Sequence, residues 1–205
     1  MIATRCDPTT PREEILAKAK RSSARGNAAN NGAGETPDIL SLLTADHAEV
    51  RAAFDEYERF DDDGGRSGER QERAQRICAM LTIHATIEEE FFYPAAREAG
   101  VDPALLDDAN VEHASAKTLI AQIEAAGPDE RLFEAKLKVL AEYVYHHVQE
   151  EEGELFAQVR RTEMDLYRIV MPMATRRAEL MHAGQAAGRA SGQAANSSAD
   201  ASTGR

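Results

Sequence analysis

Six histidines, His47, His84, His113, His146, His147 and His182, are the residues of this chain best suited to chemistry. Four of them stand in apolar stripes at helical spacing. His47 lies between Leu43 and Val50, and His84 lies seven residues after Ile77 and seven before Phe91. His113 lies seven after Leu106 and seven before Ile120, and His147 follows Leu140 by seven and Val144 by three. Seven residues are close to two helical turns, so each imidazole faces the same core as its apolar neighbours. Two helices add a carboxylate one turn on: His84-Ala-Thr-Ile-Glu88 and His147-Val-Gln-Glu-Glu151 both read H-x-x-x-E, and positions i and i+4 share a face. A buried carboxylate is costly unless something compensates it. A pair of metal ions would compensate four imidazoles and two carboxylates, and this donor set suits iron, manganese or zinc. A carboxylate can also bridge two metals, which accounts for two acids beside four imidazoles.

In the last of these helices His146 competes with His147, since each has a glutamate four residues on, Glu150 and Glu151. Upstream of His147, at helical spacing, stand Phe133, Leu137, Leu140 and Val144; upstream of His146 stand Leu132, Lys136, Val139 and Tyr143. The cleaner apolar face selects His147 with Glu151. His146 and His182 read as surface residues, and Glu89, Glu90, Glu150, Glu152 and Glu154 as solvated charges on outer faces. Cys78 reads as a structural thiol, and Met171 and Met173 as packing.

The elements that must position these side chains are helices. Thr36-Pro37-Asp38 offers an N-cap, a proline at the first helical position and an acid in the first turn; Ile39, Leu40, Leu43, Val50 and Phe54 then recur to about Phe60. Asp61 to Gly68 is a loop by composition. A second helix covers about 69–99 with Ile77, Leu81, Ile87 and Phe91 along one side, and Gly100 stops it. Asp102-Pro103 starts a third, about 103–126, which Gly127-Pro128 breaks. A fourth covers about 129–160, and Thr162 with Asp165 caps a fifth to about Met181, kinked by Pro172. No strand alternation occurs. Four amphipathic helices with short connections predict an all-α, up-down-up-down four-helix bundle, with the fifth helix outside it or at one end.

Composition sets the boundaries. Residues 21–36 and 183–205 are rich in Gly, Ala, Asn and Ser with few large apolar side chains, too few to offset ordering entropy. The expected organisation is a disordered segment 1–36, a bundle over 37–160, an accessory helix over 161–182 and a disordered tail over 183–205. The 205 residues carry 24 Lys+Arg against 36 Asp+Glu, a net charge of −12. That balance excludes nucleic acid as a direct partner and an anionic membrane surface. No apolar run approaches the length of a membrane helix, and the N-terminal residues carry charges where a signal peptide would be apolar. Two cysteines, Cys6 and Cys78, make neither a disulfide framework nor a multi-cysteine zinc site. The expectation is a cytoplasmic protein.

With these residues in place, the sequence resembles the haemerythrin family, specifically the bacterial haemerythrin-like HHE cation-binding domains. The stretches that carry the resemblance are Leu42-Leu43-Thr44-Ala45-Asp46-His47, HATIEEEFFYP (84–94), Val111-Glu112-His113 and HVQEEEGELF (147–156), within about residues 38–160. The resemblance implies a four-helix bundle around a non-haem, carboxylate-bridged centre of two iron ions. Its ligands would be His47, His84, Glu88, His113, His147 and Glu151, with Glu88 and Glu151 bridging. Oxygen-carrying haemerythrins have a further histidine four residues after the third-helix one; here that position is Lys117. The centre is then one ligand short of the carrier pattern, with Glu112 and Tyr143 as conceivable fillers, and an open position favours exchange and chemistry over carriage. The functional expectation is a protein that binds or reacts with O2, peroxide or nitric oxide, with peroxide decomposition as one enzymatic form. The alternative is a non-enzymatic module that senses oxygen, nitric oxide or iron for a protein partner still unknown. A ferritin-like carboxylate centre fits less well, because that group uses Glu-x-x-His spacing and a carboxylate majority. A structural zinc bundle is the plainest alternative for the site as a whole.

Overall fold

A computed structural model describes residues 37–200 except 63 and 65, with side chains described to residue 186 apart from 61 and 62. Segment 1–36, expected to be disordered, lies outside the described residues. The described part is mostly helical, with short connections and no strand. Helix α1 covers Ile39–Asp62, α2 Ser67–Ile87, α3 Tyr93–Glu98, α4 Pro103–Ala125, α5 Phe133–Glu150, α6 Phe156–Val159 and α7 Val170–Asp200. Two π-helical segments, Glu88–Phe92 and Glu151–Leu155, join α2 to α3 and α5 to α6 without a break.

The helix ends follow from local chemistry. Asp38 caps α1, its Oδ1 accepting from the amide of Ser41 at 2.8 Å, and Thr36 lies outside the described residues. Asp102 caps α4 by accepting from Ala104 N at 3.0 Å, with Pro103 at the first position, where its missing N–H costs nothing. Gly100 takes a left-handed φ of +86°. There it ends α3 with Val101 N on Ala96 O and Gly100 N on Arg97 O, the paired closing bonds of a helix C-terminus. The last helix differs most from expectation. Thr162 and Asp165 cap short turns instead, Asp165 Oδ1 accepting from the amides of Tyr167 and Arg168, and α7 begins only at Val170. Pro172 therefore falls in the first turn, where it removes no helical hydrogen bond, rather than kinking the interior. At its far end α7 passes residue 182 without interruption and reaches Asp200. The stretch has no proline and is rich in alanine, so its backbone can stay helical without core side chains.

Two apolar cores lie along the bundle, separated by a polar layer. One holds Val50, Phe54, Ile77, Leu81, Ile120, Leu140 and Val144; the other holds Leu43, Ile87, Phe92, Leu106, Leu155 and Phe156. Along α1 and α4 the chain runs from the second core to the first, and along α2 and α5 from the first to the second. That alternation is the up-down-up-down arrangement, and α1–α2, α2–α4, α4–α5 and α5–α1 contacts close it. Helix α7 lies against α2 and adds Val170 and Met173 to the second core. Met171 is exposed instead. Helices α1, α2, α4 and α5 each cross the polar layer once, and the histidines they place there are His47, His84, His113 and His147.

Candidate metal centre

The four histidines of the polar layer are buried, as are Glu88 and Glu151, which are 0% and 2% exposed. The structure brings all six to one point. His47 Nε2 lies 3.1 Å from His84 Nε2, and His113 Nε2 lies 3.2 Å from His147 Nε2. The carboxylates join the two pairs. Glu88 Oε2 is 3.1 Å from His84 Nε2 and 3.4 Å from His113 Nε2, while Glu151 Oε2 is 3.2 Å from His47 Nε2 and 3.9 Å from His147 Nε2. The donor atoms of His47, His84, Glu88 and Glu151 lie within 4.8 Å of one another, as do those of Glu88, His113 and His147.

The outer nitrogens explain why the inner ones point at each other. Glu152 Oε1 takes His47 Nδ1 at 2.8 Å, Glu89 Oε1 takes His113 Nδ1 at 3.0 Å, and Glu112 Oε2 takes His147 Nδ1 at 2.9 Å. A carboxylate on Nδ1 places the proton there and leaves Nε2 its lone pair. His84 is the exception. Asp46 Oδ2 stands 3.9 Å from its Nδ1, and Arg177 of α7 pairs with the other oxygen of Asp46. His84 Nδ1 is buried without a hydrogen-bond partner.

A cation fits this set of atoms. Lone pairs 3.1 and 3.2 Å apart repel unless a proton or a metal lies between them. Glu88 Oε1 and both carboxylate oxygens of Glu151 are buried with no hydrogen-bond partner, and such atoms are costly to keep dry. In the metal-free chain protons supply part of the compensation. Burial disfavours a charged His84, but the charge of Glu88 beside its Nε2 and the nearby carboxylate of Asp46 outweigh it, raising its pKa to about 10. His47 and His147 are also raised, against burial, by Glu151 with Glu152 and by Glu112 respectively.

Several expectations need correction. Glu89 and Glu152 are not merely solvated charges, since they hold the outer nitrogens of His113 and His47. Glu112 stands on the outside of His147 and contributes no atom to the inner cluster. Tyr143 is exposed, and the phenol at the centre is Tyr93, which sequence reasoning missed: its hydroxyl lies 3.4 Å from both Glu88 Oε2 and His113 Nε2. Burial and the two glutamates hold that phenol well above its ordinary pKa. Lys117 pairs with Glu89 at 2.6 Å and so supports the carboxylate behind His113. His146 and His182 are exposed, as expected, and Cys78 is a buried thiol pushed up to about 12 by burial.

The reason Tyr93 was missed is the π segment. There the amide of Tyr93 bonds the carbonyl of Glu88, and the amide of Phe156 bonds that of Glu151. This i→i+5 pattern adds a residue to the turn. It carries Tyr93 onto the face of Glu88 and Phe156 onto that of Glu151, where its ring stacks 6.1 Å from His47. It also replaces the expected Phe91 by Phe92 in the core; Phe92 is 0% exposed and Phe91 half-buried. Beside the imidazoles a partly open cavity of about 30 Å³ is lined by Val50, Leu81, Ile120 and Val144 and, toward solvent, by Lys117 and Tyr143, enough for a water or a diatomic molecule.

The chain matches the Hemerythrin HHE cation binding domain over residues 38–159. It belongs to that family. The HHE domain is also similar in structure to a Hemerythrin HHE cation binding domain-containing protein from Mycobacterium kansasii. That likeness has a TM-score of 0.59 at 19% identity, over 72% of this chain and 90% of the other, and it shows the shared fold. A curated relative named DNA nickase, from Nostoc sp., is 33% identical over 143 residues, 68% of this chain and 38% of that protein. This chain thus spans well under half of that relative's length. In the HHE domain described here, the histidine–glutamate cluster is a group that could bind metal, and no described helix is long and apolar enough to cross a membrane.

Proposed function

We propose that this HHE domain is a non-haem di-iron protein that binds or reacts with a small oxidant: O2, peroxide or nitric oxide. The observation that supports this best is the pairing of inner imidazole nitrogens, 3.1 and 3.2 Å apart, with a buried carboxylate oxygen of Glu88 or Glu151 spanning the pairs. His47 and His84 with Glu88 and Glu151 would hold one ion; His113 and His147 with the same glutamates would hold the other. Bound iron supplies one-electron exchange and a coordination position for the oxidant. Four imidazoles and two carboxylates leave such a position open. The residues do the rest. Glu89, Glu112 and Glu152 fix three imidazoles and raise their donor strength. Tyr93 holds a proton on its phenol at the edge of the cluster, where it can donate a hydrogen bond. Val50, Leu81, Ile120 and Val144 give the small cavity an apolar wall. Peroxide decomposition is the enzymatic form this arrangement suits, in a cytoplasmic setting.

DNA nicking is not part of the proposal, because a net charge of −12 opposes a polyanionic substrate. A sensing role gains support from one contact: Arg177 ties α7 to Asp46 beside His84, so a change at the cluster can reach a long external helix. The deciding measurement is a metal count with an absorption spectrum of the aerobically purified protein, before and after peroxide. Two irons per chain and an oxidant-dependent charge-transfer band are expected. Two zinc ions, or two irons whose spectrum ignores every oxidant, would overturn the proposal. Oxidant-dependent bands without peroxide turnover above that of free iron would favour sensing.

A further inference from the structure

A second group of ligand-type side chains stands outside the inner cluster. His146 and Glu150 are one turn apart on α5, and Glu112 faces them from α4. His146 Nε2 lies 3.3 Å from Glu150 Oε1 and 3.6 Å from Glu112 Oε1, and the donor atoms of all three lie within 4.8 Å of one another. The side chains of His146 and Glu150 are 62% and 51% exposed, so a hydrated ion can reach them. An imidazole and two carboxylates on two helices, with the remaining positions left to water, make an open site for a borderline divalent cation.

A surface histidine between glutamates is by itself an ordinary ion pair of small consequence. Two observations set this one apart. Glu112 divides its oxygens: Oε2 holds His147 Nδ1 at 2.9 Å, and Oε1 is the atom that faces His146. In addition, a narrow cleft of about 20 Å³ is lined by Glu112, Glu150, His147 and Glu151. Glu151 is 2% exposed, and neither of its carboxylate oxygens has a hydrogen-bond partner. An inner carboxylate without a hydrogen-bond partner therefore lines the same cleft as two of the three surface ligands.

We propose that His146, Glu150 and Glu112 form a surface site for a divalent cation, which captures the ion on its way to the inner cluster. The inference rests on the inner cluster being a metal centre. The ion would give up its water in stages, first to the exposed triad and then to Glu151, the residue after Glu150 and the first of the π segment. Glu112, shared between the triad and His147, keeps a negative charge at every stage.

The test uses the untagged, metal-free full chain and zinc, which has no redox chemistry to confuse the count. Zinc per chain is measured at saturation by equilibrium dialysis. The wild type should hold one zinc more than the His146→Ala/Glu150→Gln double variant, and His182→Ala should match the wild type. Glu112 is left unchanged because it holds His147. The rate of inner loading, followed with Co2+ by its visible bands, should fall about tenfold in the double variant, within the range of local electrostatic capture. Circular dichroism checks that the variant is folded. Equal zinc in wild type and double variant would overturn the site, and an extra zinc with an unchanged loading rate would overturn capture. A folded wild type that takes no zinc at the inner cluster would fail the metal-centre reading itself, and this inference with it.

Discussion

A histidine serves a metal through the lone pair of one nitrogen, and the partner of the other nitrogen decides which. In this protein Glu152, Glu89 and Glu112 make that decision for His47, His113 and His147, whereas Asp46 is drawn from His84 by Arg177. If the six inner residues are ligands, His84→Ala and His147→Ala should each lower bound iron per chain by at least half, measured by elemental analysis of the folded variants. Unchanged iron in His147→Ala would mean that His147 is not a ligand. The protons on the metal-free cluster set a pH dependence. His84 has a folded-state pKa of about 10, above its ordinary 6.5. The stability its charge adds to the metal-free chain is therefore present below pH 6.5 and lost as pH rises through about 10. A metal must displace that proton, so uptake should release protons and affinity should rise between pH 6.5 and 10. Chelator competition at two pH values in that window checks it; equal affinities would contradict it. Tyr93→Phe removes only the hydroxyl at 3.4 Å from Glu88 and His113. It should keep the metal and cost about 1 kcal/mol in stability. Peroxide turnover should fall by about 10²-fold if the phenol donates a proton in the reaction.

At the scale of elements, the feature that shapes the centre is the pair of π segments, each beginning at a glutamate of an H-x-x-x-E motif. Sequence periodicity could place His84, Glu88, His147 and Glu151, because the helix up to each glutamate is a regular α-helix. Beyond each glutamate the added residue shifts the face, so Phe91 was expected in the core where Phe92 stands, and Tyr93 went unnoticed. Glu-Glu-Glu-Phe-Phe and Glu-Glu-Gly-Glu-Leu carry no propensity signal for a π turn; the register is set by what the following side chains can pack against. Inserting an alanine after Gly153 should turn Phe156 and Val159 by about 100° out of the core, because the π turn already takes up the one extra residue the register accommodates. We expect a loss of about 3–5 kcal/mol, the cost of emptying a large core site, together with loss of metal. Chemical denaturation of the insertion variant measures it; wild-type stability would mean the π turn does not fix the register of Phe156.

For the molecule as a whole, a layer of six buried ionisable groups divides two apolar cores, and the bundle must hold that layer together at neutral pH. Ions bound only by the folded state stabilise it by about 4 kcal/mol for each site filled at a thousand times its Kd. A protein of this size gains about 2–4 °C per kcal/mol. Removing metal with a chelator should therefore lower the unfolding midpoint by about 10 °C or more, read by calorimetry, and adding iron back anaerobically should restore it. An unchanged midpoint would mean the layer is satisfied by protons alone.

The amino-acid sequence by itself determined the helical class, the four-helix arrangement and the six residues that meet at its centre. Those properties depend on periodicity within single helices, and a spacing of four or seven residues has the same meaning in any α-helix. Helix ends were legible where a cap was local, at Asp102-Pro103 and Gly100, and misplaced where several capping residues competed, at Thr162–Asp165. What only the tertiary structure decided is which carboxylate stands behind which imidazole: Glu152 of the fourth helix behind His47 of the first, Glu89 of the second behind His113 of the third, Glu112 of the third behind His147 of the fourth. Those partners are 105, 24 and 35 residues apart. Their pairing depends on the rotation and height at which the helices pack, and the spacing within a single helix carries no information about either.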